Sequence, residues 1–168
     1  MLKVKIKGLP PEKITSKFIS GEHIIYRGKS LASIIPGHDS TVFLIDSRLE
    51  LNEYQLLRDI IVNMTEGTTS QIDDSECQLG YLENGDKAFL LENWEEWKTF
   101  LMGAKLRTLE GQNVLVKNED GKDLGSGLLA GYTSEKIPFR ITGCTLITAS
   151  GEKTFTGNSL EFEPISRF

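Results

Sequence analysis

The sequence predicts a mainly β protein with two helices (α+β), arranged as two related small β-barrel-like modules. Three observations predict it. Short apolar runs are cut by glycine-containing turns along most of the chain. Two stretches switch to helical spacing. One block of sequence recurs in weakened form.

The recurring block is Gly111–Gly131, GQNVLVKNEDGKDLGSGLLAG, echoed by Gly21–Gly37, GEHIIYRGKSLASIIPG. Ile24-Ile25-Tyr26 falls on Val114-Leu115-Val116, and Gly28–Ser33 falls on Gly121–Ser126. The echo resumes downstream: Cys77 matches Cys144, and Asn84–Phe89 matches Ser150–Phe155. Hairpins resemble one another in any case, because turns need glycine and strands favour β-branched residues. The echo is expected to reflect a duplicated module. It divides the chain at residues 1–91 and 92–168. It also predicts that Cys77 superposes on Cys144 and Phe89 on Phe155.

Leu2–Ile6 alternates apolar residues and lysines and reads as an edge strand, ended by Pro10-Pro11. Glu12–Ile19 gives no firm pattern. Gly21–Ile45 reads as about three strands, with a tight hairpin at Tyr26–Lys29. Leu49, Leu51, Tyr54, Leu57, Ile60, Ile61 and Met64 then predict an inserted helix over about 47–64, capped by Asp46 or Ser47. Residues 65–76 read as a polar, acidic loop. Asp73, Asp74 and Glu76 lack the ligand alternation and glycine of a calcium loop. Cys77–Leu91 reads as a hairpin turning at Asn84-Gly85.

Asn93–Leu109 is the second predicted helix, with Asn93 as its cap. Its stripe of Trp94, Trp97, Phe100, Leu101 and Ala104 is expected to cover the open end of a barrel. The second copy follows to Ile165. Gly125 and Gly127 inside an apolar strand predict a bulge or sharp bend that curls the sheet.

Composition narrows the function. Hydrophobic residues make up 39% and charged residues 26% of the chain, enough for a real core. No apolar run approaches the roughly 20 residues of a membrane span, and MLKVKIKGLPP lacks the apolar core of a secretory signal, so a cytoplasmic location is expected. The charge is +4 over residues 1–45, −9 over 46–98 and 0 over 99–168, which together give −5. No global basic footprint for nucleic acid exists, though Lys3, Lys5, Lys7, Lys13 and Lys17 form a local one. The cysteines have no CxxC spacing and read as buried strand residues. No metal and no cofactor is expected. Gly28-Lys29-Ser30 lacks the upstream glycine of a phosphate loop. His38-Asp39-Ser40 offers residue types used in nucleophilic catalysis, but a triad is a spatial arrangement, and chain neighbours on a turn rarely face each other. His23 reads as a polar strand-edge residue.

A helix followed by five short bent strands over Asn93–Ile165 resembles the Sm-like small β-barrel. Gly111, Val114, Val116, Gly121 and Gly127–Thr133 are similar to the family's first motif, and Phe155-Thr156-Gly157-Asn158 to its second. Other SH3-like barrels share this grammar. The chain departs at Thr133, at Ile137-Pro138-Phe139, which lacks the expected Asn, and at Thr156. The resemblance thus implies a barrel without the family's uridine pocket, with a pseudo-dimer as one arrangement. Gly37-His38-Asp39 in the first copy keeps the Asp that Thr133 replaces.

Three functions stand open. The first is a non-catalytic binding or assembly module that engages a protein partner or itself. The second is an RNA- or DNA-binding barrel, and the third an enzyme with a site hidden in its loops. The candidate contact residues are Arg27, Lys29, His38, Asp39, Lys117, Lys122, Tyr132 and Asn158. No catalytic residue is nominated.

Overall fold

The computed structural model describes residues 1–136 and 138–166. The chain is mainly β with two helices, and it divides into two compact units, Met1–Lys98 and Thr99–Phe168.

The first unit contains β1 (Leu2–Lys7), a 3-10 turn (Pro11–Lys13), β2 (Ile19–Ser20), β3 (His23–Tyr26), β4 (Lys29–Pro36), β5 (Ser40–Ile45), α1 (Leu51–Thr65), β6 (Gln71–Asp73), β7 (Gln78–Tyr81) and β8 (Lys87–Phe89). The start of α2 (Trp94–Leu109) belongs to it as well. Six strands form one sheet in the order β2-β3-β4-β5-β1-β6, and β7 pairs with β8 apart from it. The sheet is open. Val4, Ile6, Ile24, Ala32, Ile34, Phe43 and Ile45 are buried on one face. The helix α1 turns Tyr54, Leu57, Ile60, Ile61 and Met64 inward, and these two apolar faces make the first core.

Several expectations change here. β1 is not an edge strand, because the segment after α1 returns as β6 and pairs with it. The acidic stretch expected as a loop therefore supplies a strand, and Glu76 pairs with Lys3 at 2.8 Å. Asp74 accepts the Leu91 amide at 2.8 Å. The cap of α1 is Glu50, whose amide donates to the Glu53 carboxylate at 2.9 Å. Asp46 instead binds the Arg48 amide at 2.9 Å. Asn93 does stand at the start of α2, its carbonyl accepting the Trp97 amide at 3.0 Å, but with φ 59 its side-chain amide donates to the Lys87 carbonyl at 3.1 Å and so stabilises the preceding chain.

In the second unit, the end of α2 leads to β9 (Asn113–Lys117), β10 (Asp123–Lys136), β11 (Phe139–Thr148) and β12 (Gly151–Pro164). These four strands close into an antiparallel barrel in the order β10-β11-β12-β9. The resemblance implied five strands. Here β12 pairs with β11 through its first half and with β9 through its second, so one long bent strand takes two places. Ile137 lies outside the described residues. The core holds Val114, Val116, Leu129, Ile141, Cys144, Leu146 and Leu160. Leu106 and Leu109 of α2 complete it, whereas Trp94 and Trp97 are buried in the first unit.

Close approach in this barrel depends on glycine. A Cβ at Gly125 would lie 2.7 Å from the Phe155 ring, and one at Gly127 would lie 2.6 Å from the Ile147 carbonyl oxygen. The β9–β10 ladder carries its irregularity beside Gly125, between Asp123 and Gly125.

The echoed blocks follow one strand order as far as β4 and β10. Leu31 and Leu124 both fall in the irregular step of their ladder. Beyond it they part. Gly37 sits in a tight turn with Ser40, whereas Gly131 lies inside β10. Cys77 and Phe89 belong to the separate β7–β8 hairpin, while Cys144 and Phe155 face each other inside the closed barrel, so the superposition expected from a duplication does not hold.

Candidate functional site

The nominated side chains are spread over turns and strands of both units. Arg27 and Gly28 make the β3–β4 turn with φ of 50 and 77. Positive φ at both central residues matches the right-handed strand twist. The Arg27 guanidinium lies 5.1 Å from the centre of the Tyr26 ring, a cation–π contact that holds it against the strand. Lys29 donates from Nζ to Glu53 Oε2 at 2.7 Å. This hydrogen bond, followed by that of the Glu50 amide, holds the Glu53 carboxyl below its ordinary value. Lys29 is thus a tie between β4 and the first turn of α1.

His38 and Asp39 lie at the other end of β4, so the four first-unit candidates do not converge. His38 Nδ1 meets Asp39 Oδ1 at 2.9 Å, against the expectation that neighbours on this turn face apart. Both side chains are almost wholly in solvent. The Asp39 carbonyl accepts the Gly8 amide at 3.1 Å, which pins this turn to the end of β1.

In the barrel, Lys117 donates to Glu163 Oε1 at 2.7 Å. That bond raises the lysine above its ordinary value. Lys122 is exposed on the β9–β10 loop, where its amide donates to Asn118 Oδ1 at 2.8 Å. Asn158 reaches Glu119 Oε1 of the same loop at 3.5 Å. Three nominated residues therefore gather at one loop, but carboxylates stand among them. Tyr132 packs edge-on to Phe162 at 6.4 Å and belongs to the rim of the core.

The cysteines are buried thiols. Burial pushes Cys77 up to about 12 and Cys144 upward as well, which removes the thiolate a nucleophile needs. Among the described residues, no three His, Cys, Asp or Glu side chains gather to hold a metal ion. None of their helices is long and apolar enough to cross a membrane.

The hollows of the barrel lie elsewhere. One is lined by Leu128, Ile147, Ala149 and Ile165 beside Gly127. A second is lined by Ser150, Lys153 and Phe155, and both share Ser126, Thr148 and Ala149. Ile147 is 45% exposed and Ile165 42%. Sequence reasoning passed over these residues, yet a signal was present. Leu128-Leu129 and Leu146-Ile147 are consecutive apolar pairs in strands. Since neighbours on a strand point to opposite faces, one of each pair must face out.

No protein-family model matches the chain, and neither a curated protein nor a solved structure matches it.

Proposed function

We propose that the chain is a non-catalytic binding or assembly module that engages a protein partner, or a second copy of itself, through its barrel. The observation that carries this reading is the apolar hollow of Leu128, Ile147 and Ile165, open to solvent beside a backbone stripped of side chains at Gly127. Apolar surface grouped in a concavity gains most by being covered.

The nucleic-acid reading has less support. Its affinity would come from cations released to phosphate. Lys29 and Lys117 are instead committed to Glu53 and Glu163, and Arg27 to Tyr26. A cytoplasmic location is part of the proposal, since two unpaired buried thiols suit a reducing compartment.

A photo-crosslinking residue placed at Ile147 in cells tests the reading. Discrete protein adducts that disappear in an Ile165→Glu background are expected. Nuclease-sensitive adducts would turn the assignment to nucleic acid, and no adduct would overturn it.

A further inference from the structure

The first unit has a sheet face that α1 does not cover. On it Ile35 lies directly opposite Val42, and Ser33 opposite Leu44. Along the next strand Leu44, Val42 and Ser40 face Lys3, Lys5 and Lys7 in register. Ile35 is 49% exposed, and Val42 and Leu44 are partly so. An aliphatic stripe thus runs beside a row of lysines. Among the described residues no carboxylate lies within ion-pair distance of Lys5 or Lys7, whereas Glu76 pairs with Lys3.

The chain shows what this row accepts. The segment 71–76, QIDDSE, lies along β1, with Asp73 opposite Lys5 and Glu76 bonded to Lys3 at 2.8 Å. Lys3 and Lys5 in turn help hold the Asp73 carboxyl below its ordinary value, after the hydrogen bonds from Ser75. Of His23, Ser33, Ile35, Val42 and Leu44 across the exposed face, His23 alone carries an aromatic ring, and its Nδ1 lies 3.3 Å from Ser33 Oγ. Single-stranded nucleic acid relies on aromatic platforms for base stacking. Aliphatic contacts beside ammonium groups suit a different ligand.

We propose that this face docks an acidic polypeptide segment that alternates carboxylates with aliphatic residues. The proposal rests on the reading of the chain as a protein-binding module and adds a second surface with a stated partner chemistry. The aliphatic residues of the partner lie on Ile35, Val42 and Leu44, and its carboxylates reach Lys5 and Lys7. Opposite charges steer the encounter and set the register, and the aliphatic contact supplies the area.

Methyl-detected NMR titration of the full chain tests it, with a synthetic peptide of alternating Glu and Leu as the probe. Saturating shifts at the Ile35, Val42 and Leu44 methyls are expected. Binding should weaken with salt and fall about tenfold or more in a Lys5→Glu/Lys7→Glu variant, with Lys5→Gln/Lys7→Gln as the milder second variant. A peptide with Gln for Glu should bind about as weakly as the probe binds that variant. Shifts confined to Leu128, Ile147 and Ile165 would overturn this inference and leave the binding-module reading standing. Absence of any shift, or equal binding by the Gln peptide, would also overturn it. Oligouridine RNA that shifted these methyls in place of the peptide would overturn both.

Discussion

The two units begin from the same hairpin grammar and bury it in different ways. In the first, β3, β4 and β5 extend into an open six-stranded sheet, and α1 covers one face. In the second, β9 meets both β10 and β12, so the sheet closes and covers its own inner face. The difference lies where the chain goes after the third strand. The second unit proceeds within a single strand, β11, from Ile141 to Cys144. The first leaves β5 for a helix and returns as β6. An open sheet can take side chains at every position, and Ala32 stands where the echoed stretch of the barrel has Gly125. A tightly closed barrel of long strands cannot, and glycine marks its narrow places.

Core truncation gives the largest expected effect and tests whether α1 is as essential to its unit as the inner strands are to theirs. Leu57→Ala and Leu146→Ala each remove a side chain with no exposure. Each is expected to cost about 3 kcal/mol in urea unfolding, with amide exchange in β4 and β11 as the local readout. A cost near zero for Leu57→Ala would show α1 to be an appendage and break the comparison.

The glycines come next. Gly127→Ala meets a backbone oxygen, which cannot step aside, and is expected to cost about 2 kcal/mol. Gly125→Ala meets the tip of the Phe155 ring, which can turn, and should cost less in the same measurement. Equal and negligible costs would mean that closure does not depend on these contacts.

The ion pairs sharpen the comparison by pH. Glu53 has a depressed folded value, so its contribution is full above the ordinary glutamate value and is lost as pH falls through the folded one. Glu53→Gln should lower stability at neutral pH by about 1 kcal/mol through the lost tie and cap, and should flatten the acid limb of a stability-versus-pH curve. Lys117 has a raised folded value, so its contribution is full below the ordinary lysine value and is lost as pH rises through the folded one. Lys117→Met should have the smallest effect, visible only in the alkaline limb of thermal unfolding, because Glu163 is half exposed.

Much of the local structure was legible. Alternation of apolar residues marked β1, short apolar runs between glycines marked β3 and β9, the i, i+3, i+4 spacing marked α1, and Arg27-Gly28 marked its turn. The irregular step beside Gly125 followed from glycine within an apolar strand. The candidate site was less legible. Lys29 and Lys117 looked like ligands for phosphate because each follows or precedes a turn. Their partners, Glu53 and Glu163, lie 24 and 46 residues away. Spacing along the chain carries no information about such pairs. Ile147 and Ile35 sat in plain view beside Leu146 and Ile34, but only strand pairing decides which of two neighbours is covered.

The sequence by itself determined the β-rich class, the two helices, the main turns and the burial of both cysteines. These follow from local periodicity and backbone preference, which act within a few residues. The tertiary structure decided that β1 lies inside its sheet, that the first unit's sheet stays open while the second closes, and which lysines are neutralised. Those outcomes depend on contacts between residues far apart in the chain, where the gain from pairing and burial outweighs any local preference.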